Sequence, residues 1–154
     1  MCGFVGFTNN IQNADVVLEQ MKDAIKHRGP DSDGSYIDDK VALGFRRLSI
    51  IDLSMGSQPL YNEDKSIVLV FNGEIYNYQP LREQLIKCGH VFSTNTDSEV
   101  LIHGYERWGK ELLNRLRGMF AFIIWDKNKS EIFGARDFFG IKPLYYAQMS
   151  GVFM

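Results

Sequence analysis

This sequence of 154 residues has few of the features that mark secreted, membrane-spanning or metal-binding proteins. It has only two cysteines, Cys2 and Cys88, too few for a disulfide framework. Its three histidines have no spacing that suggests a zinc site, so no metal is expected. No apolar run approaches the roughly 20 residues of a membrane-spanning helix, and the N-terminus has no basic segment followed by an apolar one. We therefore expect a cytoplasmic protein.

Net charge and repetition are lacking as well. The formal charge is −2 at pH 7, which predicts no overall attraction to nucleic acid or to an anionic membrane. The chain has no internal repeat, low-complexity segment or linker, and its length suffices for one domain with a sizeable core. A small molecule is the expected partner.

What is present is a pattern of strands and helices. Strands are predicted at 3–8, 41–51, 66–76, 119–125, 131–136 and 143–148, and helices at 13–28, 80–88, 96–108 and 111–116. The nearly continuous apolar run Val68–Phe71 indicates a strand buried on both faces. Several neighbouring strands have connections too short for a crossover, which favours antiparallel sheets covered by helices over parallel α/β. The apolar end Gly151–Met154 suggests a domain truncated at its C-terminus.

Cys2 is the first candidate for chemistry. Removal of Met1 would make it an N-terminal residue with both a thiol and a free α-amine. The amine, with a reference pKa of about 7.7–8.0, can take the thiol proton near neutral pH in place of a histidine. A cysteine at this position by chance is the alternative. His27, in the sequence His27–Asp31, stays open as a second base, although a helix exit and turn explain that segment equally well.

Asn72 and Gly73 follow the most apolar predicted strand. A thiolate that attacks an amide needs donors for the developing oxyanion, and an asparagine NH₂ beside a backbone N–H supplies them. We expect Gly73 to let its backbone approach a ligand closely. Asn-Gly is also the commonest hairpin turn signal, although the strand-like residues after Glu74 weaken that alternative.

Charged residues could hold an amino acid at its two ends. An α-carboxylate favours a bidentate arginine, and an ammonium favours a carboxylate. Adjacent residues on a strand face opposite ways, so at most one of Arg46 and Arg47 can face a given pocket. A strand-edge charge is the alternative for both arginines. Asp97 could bind the ammonium or cap the helix predicted to begin at Thr96.

Taken together, these segments resemble the class II, N-terminal-nucleophile glutamine amidotransferase domain. The motifs appear in family order along the chain: Met1–Gly3, His27–Asp31, Arg47–Ile50, Phe71–Asn77, Thr96–Glu99, Gly118–Phe122, and Ala135–Asp137 with Gly140–Tyr145. The sequences of the segments Asn72–Asn77 and Gly140–Tyr145 are similar to those of glutamine-hydrolysing asparagine synthetases.

The resemblance implies a fold and a set of roles. The fold would be α+β, a four-layer αββα sandwich of two antiparallel sheets. Cys2 would attack the glutamine side-chain amide, with Asn72 and Gly73 as the oxyanion hole. The substrate-binding residues would be Arg47, Ile50, Asn72, Gly73, Glu74 and Asp97, with Arg47 on the α-carboxylate and Asp97, helped by Glu74, on the ammonium.

The resemblance also sets expectations for cofactors and partners. This domain would need no cofactor, with ATP and Mg²⁺ acting only in a synthetase domain, whose pyrophosphate loop is absent from these residues. Expected partners are glutamine and that synthetase domain, with no nucleic acid and no membrane, and a homodimer is left open. The alternative function is a non-catalytic, amidotransferase-like fragment that binds glutamine or a partner domain.

Overall fold

The computed structural model describes residues 2–8, 11–48 and 57–154. Nine strands lie within these ranges: β1 (Gly3–Thr8), β2 (Ser32–Ile37), β3 (Val41–Arg47), β4 (Leu60–Tyr61), β5 (Ile67–Ile75), β6 (Gly118–Asp126), β7 (Glu131–Arg136), β8 (Gln148–Met149) and β9 (Val152–Phe153). The helices are α1 (Ala14–Ala24), α2 (Tyr78–Lys87) and α3 (Glu99–Trp108), with 3-10 turns at Lys26–Arg28 and Gly109–Asn114. No helix within the described ranges has the length and apolar character needed to cross a bilayer.

Two antiparallel sheets form the centre of the molecule. The first has the strand order β1-β3-β2 and the second the order β4-β5-β6-β7, while β8 and β9 form a separate hairpin. In β5, alternate residues face opposite ways, as the continuous apolar run predicts. Val68 and Val70 pack between the sheets, whereas Leu69 and Phe71 face the helices.

Three apolar clusters separate four layers. Leu18 of α1 packs on Phe7 and Ala42 of the first sheet. The cluster between the sheets includes Phe45 of β3 and Trp125 of β6. The outer face of the second sheet packs on α2 and α3 through a third cluster. The predicted four-layer αββα sandwich of two antiparallel sheets is therefore confirmed.

Several predicted boundaries were wrong. Residues 32–37 lie outside every predicted strand, yet they form β2, an edge strand whose polar residues hide its period of two. The first helix ends at Ala24 rather than Arg28, and the fourth is a 3-10 turn. The strand expected at 143–148 is not formed over 143–147, and β8 begins only at Gln148.

Candidate active site

Cys2 lies directly before β1, at the point where the chain enters the space between the sheets. The residue is half-buried and packs against the inter-sheet cluster. Its Sγ lies 3.8 Å from the carbonyl oxygen of Leu48, to which the thiol donates. Because Gly3 is paired with Arg46, the start of β1 is fixed beside the end of β3. The fold therefore places the candidate nucleophile at an edge shared by two strand ends.

The two arginines at the end of β3 face opposite ways. Arg46 is 8% exposed and turns toward α1, where its Nε donates to the Lys22 carbonyl at 3.1 Å and its Nη2 pairs with Asp23 at 2.6 Å. Arg47 belongs to the alternate row of β3 that includes Phe45, which packs between the sheets. Arg46 is thus structural, and Arg47 is the arginine on the side of Cys2.

The segment after α1 supports this end of β3. A Cβ on Gly29 would lie 2.5–2.6 Å from backbone atoms of Arg46 and Arg47, so only glycine allows so close a contact. The N–H of Asp31 donates to the Arg47 carbonyl at 3.1 Å. His27 is exposed on the neighbouring 3-10 turn. The segment therefore fixes the backbone that carries Arg47.

Asn72 and Gly73 lie inside β5 and do not form a turn. Both are paired with β6, in register with Ala121 and Phe120. Asn72 is 7% exposed and shares the inter-sheet row of Val70. The hairpin alternative is wrong, because the pairing of β5 with β6 continues unbroken through both residues.

The backbone of Gly73 faces the edge of β5 away from β6. The carbonyl and N–H of Phe120 bind Asp137, so Gly73 and Phe120 form a pair that exchanges no hydrogen bond. On the opposite edge of β5, the N–H of Phe71 donates to a side chain at 2.6 Å and that of Ile75 to another at 2.7 Å. Strand alternation puts the Gly73 N–H on that same edge, midway between these two.

The structure gives a further reason for glycine at position 73. A Cβ there would lie 2.2 Å from the Met119 carbonyl oxygen and 2.7 Å from the Phe120 Cα. The absence of a side chain therefore relieves crowding against β6, where pairs without hydrogen bonds bring the strands closest.

Gln58 is a site residue that the sequence did not reveal. Its Oε1 accepts from the Phe71 N–H at 2.6 Å, and its Nε2 donates to the Phe71 carbonyl at 3.0 Å. The side chain thus takes the place of a paired strand immediately before Asn72. No predicted element marks it in the sequence, since the strand Leu60–Tyr61 that follows it was not predicted either.

Asp97 lies before α3, not in its first turn. Its Oδ2 accepts from the Ile75 N–H at 2.7 Å, and α3 begins two residues later with Ser98 as N-cap. The helix predicted to begin at Thr96 begins instead at Glu99, whose carboxylate binds the backbone of Ser93 and Thr94. Asp97 therefore ties the entrance of α3 to the end of β5.

The surroundings of Asp97 favour a cation. Burial raises the pKa of Asp97, and the charge of Glu74 raises it further, against the hydrogen bond from Ile75, which lowers it. Two neighbouring carboxylates that repel each other are stabilised when a positive group lies between them. Glu74 itself is exposed at the end of β5.

An open groove of about 1150 Å³ borders these residues. Gly3, Phe4 and Asn72 line one part of it, and residues of α1, β3, β6, β7 and the C-terminal segment line others. Its lining does not include Cys2 or Asp97, so the groove flanks the site and is not itself the amino-acid pocket. Ile50, the remaining predicted substrate-binding residue, lies outside the described residues.

Among the described residues, one group could hold a metal ion: His90, His103 and Glu106. His103 and Glu106 lie on α3, which packs on the outer face of the second sheet. This group is therefore separated by that sheet from the row of Asn72.

Comparison with known proteins agrees with this arrangement. The family of glutamine amidotransferase domains matches residues 1–154. Glutamine-hydrolysing asparagine synthetase 1 of Bacillus subtilis is 53% identical over 97% of this chain and 24% of its own length. Asparagine synthetase 3 of Arabidopsis thaliana is 43% identical over 94% of the chain and 25% of its length. The chain thus spans about a quarter of the length of these curated relatives.

A solved structure supports the fold. Glutamine phosphoribosylpyrophosphate amidotransferase from B. subtilis superposes with a TM-score of 0.81 over 99% of this chain and 41% of that one, at 22% identity. The resemblance inferred from the motifs is confirmed. The match over the full chain shows that this protein belongs to the family of glutamine amidotransferase domains.

Proposed function

We propose that this domain hydrolyses the side-chain amide of glutamine, with Cys2 as the nucleophile. The observation that carries the proposal is the edge of β5, where the Gly73 N–H lies between two side-chain-bound N–H groups, next to the buried Asn72. A backbone N–H beside a side-chain amide is the donor pair that an oxyanion needs.

The reaction follows from these groups in two steps. With Met1 removed, the α-amine takes the Cys2 proton, and the thiolate attacks the amide carbon while Asn72 and Gly73 donate to the carbonyl oxygen. The C–N bond then breaks, the leaving nitrogen takes the proton from the α-ammonium, and ammonia departs. Water attacks the resulting thioester, gives its proton to the departing thiolate, and releases glutamate.

The ends of the substrate are held by charge. Arg47 binds the α-carboxylate, because its row of β3 faces between the sheets, on the side of Cys2. Asp97 and Glu74 bind the ammonium, whose positive charge relieves the repulsion between the two carboxylates. This half-reaction uses side chains, the backbone N–H of Gly73, the N-terminus and water, so we propose no cofactor for it.

In the full-length chain, the ammonia would serve a synthetase domain. The relatives that carry this domain are named asparagine synthetases. We therefore propose that an ATP- and Mg²⁺-dependent partner domain uses the ammonia to convert aspartate to asparagine in the cytoplasm. A homodimer is the arrangement to test by light scattering.

The test is covalent capture at Cys2. Protein whose loss of Met1 is verified by intact mass should release glutamate and be labelled at Cys2 by an electrophilic glutamine analogue. Cys2→Ala should abolish both signals, whereas Cys88→Ser, a matched change at an exposed cysteine, should leave both unchanged.

Folded protein that starts at Cys2 yet gives no labelling would overturn the proposal. Glutamine binding without turnover would support the alternative of a non-catalytic domain. Because the α-amine serves as base, extending the N-terminus by one residue should also abolish glutamate release.

A further inference from the structure

Two histidines and a glutamate meet in the helical layer on the far side of the second sheet. His103 and Glu106 lie one turn apart on α3, and His90 follows α2. Glu106 Oε2 lies 3.0 Å from His103 Nδ1 and 3.4 Å from His90 Nδ1. One ligand atom from each of the three residues can be chosen so that all lie within 4.8 Å of one another.

The two separations from Glu106 Oε2 suit a tetrahedral metal site. Zinc binds nitrogen and oxygen at about 2.0–2.1 Å, so two ligands of a tetrahedral ion lie roughly 3.3 Å apart. The two distances to Glu106 Oε2 bracket that value. His₂Glu is also one of the ligand sets that leave a fourth position for water.

The outer contacts of the group have the form found around metal ligands. His103 Nε2 lies 3.5 Å from Glu99 Oε1, on the side of the ring opposite to Nδ1. Glu106 Oε1 accepts from the Asn62 amide at 2.8 Å, which leaves Oε2 directed at the histidines. A carboxylate behind a histidine and a hydrogen bond behind a ligating carboxylate are the partners that orient metal ligands.

Glu99 is itself held in place. Its two carboxylate oxygens accept from the backbone N–H groups of Ser93 and Thr94, each at 2.7 Å. The orientation of His103 is therefore fixed through Glu99 by the loop that precedes α3. Such fixed second contacts reduce the reorganisation that binding of an ion would require.

Charge and access also favour a cation. Glu99, Glu106 and Glu63 place three carboxylates around the two imidazoles. The His103 side chain is only 3% exposed, so these charges act with little screening by water. The side chains of His90 and Glu106, at 19% and 22% exposed, leave a path to solvent.

From this geometry we propose that His90, His103 and Glu106 bind Zn²⁺ or a similar divalent transition-metal ion, with water as the fourth ligand. The ion would cross-link the segment after α2 to α3, and it would take no part in the chemistry at Cys2. An ion-pair network without metal affinity is the competing explanation.

The test titrates the metal-free protein with Zn²⁺ by calorimetry and with Co²⁺ by visible absorption. Both thiols are first removed in a Cys2→Ala, Cys88→Ser background, because thiolates also bind these ions. We expect one ion per chain, a tetrahedral Co²⁺ spectrum, and a melting temperature that rises with Zn²⁺.

Variants assign the binding to this group. His90→Gln and Glu106→Gln, both at partly exposed ligands, should each weaken Zn²⁺ binding at least tenfold and remove the thermal shift. Asn62→Ala should weaken it by about tenfold through the loss of an outer contact. His27→Gln, at an exposed histidine elsewhere, is the matched control and should bind Zn²⁺ as before.

Two results would overturn the proposal: no saturable binding to folded protein, or binding that survives His90→Gln and Glu106→Gln. Circular dichroism of each variant confirms that it is folded. Since the readout is metal binding and not turnover, the outcome is independent of the glutaminase activity.

Discussion

Replacement of Gln58 by leucine tests how the oxyanion donors are held. Gln58 makes two hydrogen bonds to the backbone of Phe71, at 2.6 and 3.0 Å, directly before Asn72. Leucine has similar bulk but can make neither bond. Because Phe71 is only 4% exposed, its N–H and carbonyl would then lack partners in a buried place.

The magnitude follows from those two groups. Each buried unpaired backbone group costs at least about 1 kcal/mol, so Gln58→Leu should reduce the free energy of unfolding by about 2 kcal/mol. For a chain of this size that corresponds to a fall in Tm of about 4–8 °C. A displacement of the Asn72 amide by even about 1 Å can reduce kcat by about a hundredfold.

The assay is glutamate release measured well below the Tm of the variant, together with thermal unfolding. We expect kcat to fall at least tenfold with little change in the glutamine KM, because Arg47 and Asp97 are untouched. Gln58→Glu, which keeps an acceptor for the Phe71 N–H, should have intermediate kcat. Gln84→Leu, the same change at an exposed position on α2, should alter neither quantity.

A lower Tm with unchanged kcat would show that Gln58 stabilises the fold without positioning the donors. An unchanged Tm would refute the energetic argument itself.

Four further predictions concern neighbouring residues. Arg46→Met should lower the free energy of unfolding by about 2 kcal/mol in urea titrations and leave the glutamine KM unchanged, because it breaks buried charged hydrogen bonds. Arg47→Met should instead raise that KM by about tenfold or more, and the opposite pattern would exchange their assigned roles. Gly73→Ala should destabilise the domain by about 1–3 kcal/mol, because its Cβ would lie 2.2 Å from the Met119 carbonyl oxygen; unchanged stability would contradict this. Burial would raise the pKa of Asp137, but backbone hydrogen bonds outweigh it and hold the pKa below its ordinary 3.8. Its stabilising contribution should therefore be complete above that value and be lost as the pH falls through the lower folded pKa. In a profile of the free energy of unfolding against pH, measured in urea, Asp137→Asn should make this loss at acid pH less steep. An equally steep loss in the variant would show that other carboxylates cause it.

The sequence was most informative where burial and periodicity coincide. The apolar run Val68–Phe71 predicted a strand buried on both faces, and the alternation rule predicted that only one of Arg46 and Arg47 faces the site. Both follow from backbone geometry that holds in any sheet. Short connections between strands predicted antiparallel sheets covered by helices, whereas the four-layer arrangement was implied by the resemblance to the family.

Other features depend on contacts between distant segments. β2 has exposed polar residues on an edge, so its period of two is weak. His90 and His103 are brought together by the packing of α2 on α3, and their separation along the chain matches no familiar ligand spacing. Gln58 has no motif of its own, because its role depends on which backbone groups a neighbouring strand leaves unpaired.

The short length of β4 is the feature that makes the proposed site possible. Leu60 and Tyr61 pair with Leu69 and Val68. If the same register continued for two more residues, Gln58 would lie opposite Phe71. At that point the Gln58 side chain replaces strand pairing. A longer β4 would cover the edge of β5 and pair the Gly73 N–H. Within the described residues β4 stops short of that point, and the proposed role of the Gly73 N–H as an oxyanion donor depends on this edge staying open.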